Sequence, residues 1–112
     1  MKSAETTVER SSGNVFADLD HPDAAGHLLK AELASRIDAI VRQRSLTQVE
    51  AAKILGLSQP DVSRLLRGDF RDFSMERLLR LLTALGRDVE IIVRNPRSSR
   101  GGQLSIVAAR HG

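Results

Sequence analysis

The stretch Leu46-Thr47-Gln48-Val49-Glu50-Ala51-Ala52-Lys53-Ile54-Leu55-Gly56-Leu57-Ser58-Gln59-Pro60-Asp61-Val62-Ser63-Arg64-Leu65-Leu66-Arg67-Gly68 decides the fold. It reads as two short helices joined by a tight turn. Thr47 is placed to cap the first helix, with Glu50 three residues on as a capping box, and Gly56 is its stop signal. Leu57 anchors the turn. Ser58 opens the second helix with Asp61 three residues later, close to a second capping box. Helices this short bury little alone and need a surrounding bundle. Val49, Ala52 and either Ile54 or Leu55 are expected to face inward from the first helix, and Val62, Leu65 and Leu66 from the second. Ala52 is small enough to let the two helices approach closely. Gln59, Pro60, Asp61, Ser63, Arg64 and Arg67 remain outside. They make a mostly polar, hydrogen-bonding face on a rigid support, the form expected of a DNA-reading helix.

Upstream, Pro22 with Asp20 and Asp23 signals a helix start, since acids suit the positive end of the helix dipole. From there to Arg44 the apolar residues Leu29, Leu33, Ile37, Ile40 and Val41 recur at helical spacing, giving a long amphipathic helix with one buried stripe. Downstream, Phe70 and Phe73 are expected to plug the core from a loop. Ser74 then caps a helix over Met75–Leu85, whose Leu78, Leu79, Leu81, Leu82 and Leu85 form a broad apolar face, and Gly86 ends it.

After Gly86 the period changes to alternation. Asp88-Val89-Glu90-Ile91-Ile92-Val93-Arg94 places Val89, Ile91 and Val93 on one side of a strand. A lone strand needs a partner. Pairing with a weaker strand candidate at 103–109 would make a hairpin, and pairing with its own copy across a two-fold axis would make a dimer. The second is favoured, because so apolar an edge otherwise invites uncontrolled association. Residues 1–14 are Ser/Thr/Glu-rich and are expected to form a disordered tail. Val15, Phe16 and Leu19 are expected to pack back onto the bundle, with docking of a partner protein as the other reading. The organisation expected is thus a tail at 1–14, a bundle at 15–87, a dimerisation strand at 88–94 and a basic flexible tail at 95–112.

Composition narrows the function. The 41% of hydrophobic residues suffices for a core, which must be aliphatic because the chain has three Phe and neither Trp nor Tyr. No run of about 18 apolar residues exists, so no membrane span is expected, and the polar N-terminus lacks the apolar centre of a secretion signal. The cytosol is the simplest location. Without cysteine there are no disulfides or thiolate metal sites. His21, His27 and His111 have no spacing that sets two on one helix face for a metal. Asp18, Asp20 and Asp23 near His21 read as helix-start acids rather than a catalytic cluster. No nucleophile elbow or phosphate loop occurs, so neither enzyme activity nor a cofactor is expected. Scarce aromatics argue against recognition of single strands by base stacking. Charge is polarised: residues 1–40 carry four basic and seven acidic side chains, residues 41–112 thirteen and seven. The C-terminal two-thirds therefore favour an anionic partner.

The pattern Gln48–Ala52–Gly56–Leu57–Val62–Leu65 resembles the helix-turn-helix of the lambda-repressor/Cro (XRE) family. There a Gln opens the first helix, an Ala sits four residues on and a Gly marks the turn. The segment Leu57–Gly68 is among the more specific matches. The wider block, from Phe16-Ala17-Asp18-Leu19 through Gly86-Arg87-Asp88-Val89-Glu90-Ile91, is similar to XRE-type regulators of the HigA-like antitoxin subgroup.

The resemblance implies a mainly α, lambda-repressor-like bundle plus a C-terminal strand used in dimerisation. It also implies that the second helix enters the major groove of double-stranded DNA with its N-terminal residues on base edges. Carried over, Gln59, Pro60, Ser63 and Arg64 are the base-contact candidates: Gln59 for an adenine edge, Pro60 for a thymine methyl, Arg64 for guanine or a phosphate. Arg44, Thr47, Gln48, Ser58, Arg67 and Arg71 are the phosphate-contact candidates. Asp61 is expected to act as a capping acid first and as an acceptor from cytosine second. The function implied is a sequence-specific regulator, a repressor acting as a homodimer on a pseudo-palindromic operator. The alternative is a HigA-like antitoxin that neutralises a cognate toxin and represses its own operon.

Overall fold

The computed structural model describes residues 14–15, 22–96 and 102–107. In chain order the elements are β1 (Asn14–Val15), α1 (Pro22–Gln43), α2 (Gln48–Leu55), α3 (Gln59–Leu66), α4 (Met75–Ala84) and β2 (Ser105–Ile106). Lys30–Ile91 form one compact unit, holding most of α1 and all of α2 to α4, and β1 and β2 belong to a second. The expected mainly helical bundle with a helix-turn-helix is the one observed.

Helical periodicity decides which side chains are buried. Along α1, Leu29, Leu33, Ile37, Ile40 and Val41 are all buried, Ile37 completely. This is the stripe that a three- to four-residue spacing lays on one helix face. The helix stops at Ser45, whose backbone turns left-handed (φ 55°). That turn lets the Leu46 amide donate to the Val41 carbonyl at 3.0 Å, the bond that closes a helix C-terminus. The next helix begins only two residues later.

Helix α2 packs against both α3 and α4. Its buried residues are Ala51, Ala52 and Leu55, so the open choice between Ile54 and Leu55 falls to Leu55. Val49 corrects the sequence reading: it is 46% exposed rather than inward. At about 100° per residue it lies about 60° around the helix beyond Ala52, just outside the arc that Ala51, Leu55 and Ala52 bury. In α3, Val62 and Leu65 are buried as expected, while Leu66 is only half-buried. Phe70 and Phe73 plug the core, and Leu78, Leu81, Leu82 and Leu85 present the apolar side of α4, with Leu79 half-buried. Arg44 joins distant parts of the bundle: its Nη1 donates to the Leu85 carbonyl at 3.0 Å, where α4 ends.

The turn between α2 and α3 depends on Gly56, with φ 69° and ψ 32°. A Cβ there would meet nothing within 4 Å, so the left-handed backbone rather than crowding is what favours glycine. The Leu57 amide then donates to Ala52 at 3.0 Å, and buried Leu57 anchors the turn.

The hairpin reading, Asp88–Arg94 paired with the 103–109 candidate, needs correction. Asp88–Arg94 forms no strand with any described residue, and Ile91 and Val93 are 77% and 92% exposed. The C-terminal strand is Ser105–Ile106, a fraction of the 103–109 candidate. It pairs antiparallel with Asn14–Val15, with Asn14 opposite Ile106 and Val15 opposite Ser105. Asn14, assigned above to the disordered tail, is thus in a strand. A seven-residue alternating segment has the side-chain pattern of a strand, but among the described residues of this chain its amides and carbonyls meet no facing strand. The remainder of the tails, together with Phe16 and Leu19, lies outside the described residues.

Candidate nucleic-acid interface

Both helices of the motif begin with hydroxyl caps. Thr47 Oγ1 accepts the Glu50 amide at 3.1 Å while Glu50 Oε1 accepts the Thr47 amide at 2.8 Å, completing the expected capping box. Ser58 Oγ accepts the Asp61 amide at 3.2 Å. A hydroxyl that accepts through a lone pair still has a proton to donate. The Thr47 and Ser58 protons are directed to the carboxylates of Glu50 and Asp61, so both hydroxyls act as caps first. Pro60 sits in the first turn of α3, where its missing N–H costs no helical bond.

Gln59 and Pro60 are exposed at the start of α3, and Ser63 and Arg64 are half-exposed further along it. The structure thus brings all four base-contact candidates to the solvent side of one helix whose other side is fixed by Val62 and Leu65. Gln59 offers a carboxamide at the leading end, Pro60 an apolar contact, and Ser63 a hydroxyl. The exposed Arg67 extends the line, its Nη1 donating to Ser63 Oγ at 2.8 Å.

Asp61 departs from its expected role. Its carboxylate takes Arg64 Nη2 at 2.6 Å as its main partner and the Ser58 cap hydroxyl as a lesser one. The Arg64 hydrogen bond is also the main reason the Asp61 carboxyl is held below the usual aspartate range, with the Arg64 charge adding to it and desolvation opposing. Arg64 Nη1 lies 3.4 Å from Asp72 Oδ2, in the loop after α3. Asp72 did not figure among the candidate residues. It lies eight residues from Arg64 across a helix end, where no periodicity relates the two.

The phosphate candidates divide by position. Thr47 and Gln48 are exposed at the start of α2, and Ser58 at the start of α3. Arg67 closes α3 as its C-cap. Arg71 projects from the following loop with its side chain 82% exposed, 3.7 Å from Asp69 Oδ1. Arg44 is exposed but already engaged with the Leu85 carbonyl, so it links α1 to α4 whatever else it touches. Arg77, not among the candidates, stacks over the Phe73 ring at 4.9 Å and covers the loop plug.

Two capped helices in tight succession, with a polar outer face on the second, define a helix-turn-helix protein. Residues 15–94 match the helix-turn-helix domain family. A solved structure provisionally described as an XRE family transcriptional regulator is 44% identical to this chain. It superposes with a TM-score of 0.75 over 79% of this chain and 100% of its own. No curated protein matches. The chain belongs to the helix-turn-helix domain family and is an XRE-type member of it.

Proposed function

We propose that the protein is a sequence-specific, double-stranded-DNA-binding transcriptional regulator, a repressor that acts as a homodimer on a pseudo-palindromic operator. The observation that carries this reading is the outer face of α3, with Gln59 and Pro60 exposed and Ser63 and Arg64 half-exposed on a helix whose inner face is locked into the core. In the major groove Gln59 would meet an adenine edge, and Pro60 a thymine methyl. Thr47, Gln48 and Ser58, at the N-termini of α2 and α3, would bond phosphate oxygens and set the depth of entry. Arg44, Arg67 and Arg71 would add charge. This is binding without covalent chemistry, so the protein is not an enzyme, needs no cofactor and works in the cytoplasm. Among the described residues no helix is long and apolar enough to cross a membrane.

The dimer would form through Val89, Ile91 and Val93. Antiparallel self-pairing centred on Ile91 sets Val89 opposite Val93 of the second copy and Asp88 opposite Arg94, so both the apolar face and the charges match. The two reading helices would then contact half-sites about 34–36 Å apart, one turn of DNA. A second reading adds an antitoxin role on the HigA-like pattern. It is favoured by Ile92, on the other side of the same segment and 59% exposed, which self-pairing on the Val89 face leaves for a toxin protein.

Footprinting on the chain's own promoter should show two protected half-sites related by two-fold symmetry. Affinity should fall with salt at a slope near −0.9 per phosphate neutralised. Protection without symmetry would remove the dimer, and absence of selective protection would remove the regulator. Ile91→Asp should give monomers with much weaker operator binding. Co-purification of the product of an adjacent gene would support the antitoxin reading, and a solitary gene would count against it.

A further inference from the structure

We propose that Asp61 is a specificity-determining positioning residue, which together with Asp72 holds Arg64 for a guanine edge and away from the DNA phosphates. This rests on the DNA-reading role of α3 proposed above and specifies which base Arg64 reads. Asp61 and Arg64 are three residues apart, on one face of the helix, and their contact at 2.6 Å is a short charge-assisted bond. Asp72 reaches the other terminal nitrogen from the loop at 3.4 Å. An arginine held at both ends of its fork has lost most of the rotamer freedom of a solvated one.

Charge then selects the ligand. Each terminal nitrogen of the Arg64 fork already faces a carboxylate, so an incoming phosphate must compete with Asp61 and Asp72 for it. Guanine O6 and N7 are neutral acceptors and meet no such barrier. The planar fork carries more N–H donors than its two carboxylate bonds consume, and the Arg64 side chain is still 39% exposed. A guanine edge can therefore be added without breaking the clamp. Asp61, 31% exposed, keeps acceptor capacity toward the cytosine amine of a neighbouring pair.

Arg67 provides the internal contrast. It lies three residues further on, at the C-cap of α3, and its Nη1 bonds a neutral partner, the Ser63 hydroxyl at 2.8 Å. With no carboxylate in that bond, it suits a phosphate. Two arginines, one in α3 and one at its C-cap, are thus assigned different targets by the charge of the groups that hold them. The lowered Asp61 pKa keeps its carboxylate ionised throughout the neutral range.

The test uses the full chain and two probes, a randomised duplex library and a poly(dA)·poly(dT) duplex. Wild-type protein should enrich guanine at a fixed position of each half-site. Replacing that G·C pair by A·T should weaken binding about five- to 150-fold, the range for losing a bidentate base contact. Asp61→Asn should bind poly(dA)·poly(dT) more tightly than wild type, with a salt slope steeper by about 0.9 as Arg64 takes up a phosphate. The same variant should lose the guanine preference. Asp72→Asn, altered in the loop rather than in α3, should shift both readouts in the same direction by less. Parallel weakening on both probes, or a guanine preference that survives Asp61→Asn, would overturn the proposal. A wild-type chain that enriches no sequence would overturn the regulator reading as well, whereas enrichment without a required guanine would overturn this proposal alone.

Discussion

Helices α2 and α3 are the same length, eight residues, and each starts at a hydroxyl cap with an acid three residues on. In α2 the acid turns back: Glu50 closes the capping box on Thr47, and the helix is spent on contacts with α3 and α4. In α3 the acid turns along the helix: Asp61 takes Arg64 on the outer face, with the Ser58 cap hydroxyl as its lesser partner. One sequence device serves two ends. The difference follows from what stands one turn further on, Lys53 in α2 and Arg64 in α3, and from Asp72, which completes the hold on Arg64. Such a division suits a supporting helix and a reading helix.

The two sides of α3 should part company under mutation. Leu65 is 1% exposed, and Leu65→Ala should cost about 2–5 kcal/mol in urea denaturation, as buried leucine truncations do. Loss of operator binding should accompany it, because the helix is no longer docked. A cost well under 1 kcal/mol would mean that the two helices are not joined by this core. On the outer side, Gln59→Ala should leave the unfolding midpoint unchanged and weaken discrimination at one base pair by about 1–3 kcal/mol, read by operator competition. If it unfolds the protein instead, the face is structural and the contrast between the helices disappears.

Legibility in the sequence follows the same local-against-distant division. The caps at Thr47, Ser58 and Ser74, the left-handed Gly56, the α1 stripe and the leucine face of α4 all rest on interactions within one or two turns, and periodicity records those. Val49 departs from the reading because in an eight-residue helix one apolar residue can sit just off the buried arc without destroying the pattern. The Arg44 bond to the Leu85 carbonyl and the pairing of Asn14–Val15 with Ser105–Ile106 join residues far apart in sequence, which no spacing rule connects. For the reading face, the residue types and their exposure were legible from the second helix alone. The hold on Arg64 was not, because half of it comes from a loop. Asp88–Arg94 has a strand's alternation, but alternation records which side chains share a face and says nothing about where the partner strand is.

The caps allow a finer separation. Thr47→Ala should destabilise by about 1 kcal/mol, within the range for lost N-caps. Ser58→Ala should cost less, since the cap of α2 is reciprocal and that of α3 is one-sided. Equal losses in thermal unfolding would mean that the Glu50 arm adds nothing.

The smallest effect isolates that arm through pH. The Glu50 carboxyl is held below its ordinary value of 4.5, first by the Thr47 amide, then by the Thr47 hydroxyl, with Lys53 helping and desolvation opposing. A carboxyl whose folded pKa is depressed binds its proton more readily in the unfolded chain. Its contribution is therefore complete above the unfolded value and is lost as pH falls through the folded one. Glu50→Gln keeps a carbonyl acceptor for the Thr47 amide but removes the charge. Wild type should thus be the more stable at neutral pH, with the gap to Glu50→Gln closing below about 4.5 in urea denaturation. A gap that stays constant down to pH 3 would assign the box to neutral hydrogen bonding. A closing gap would show that α2 uses its acid as a charge to hold its own first turn, the use that α3 gives up to Arg64.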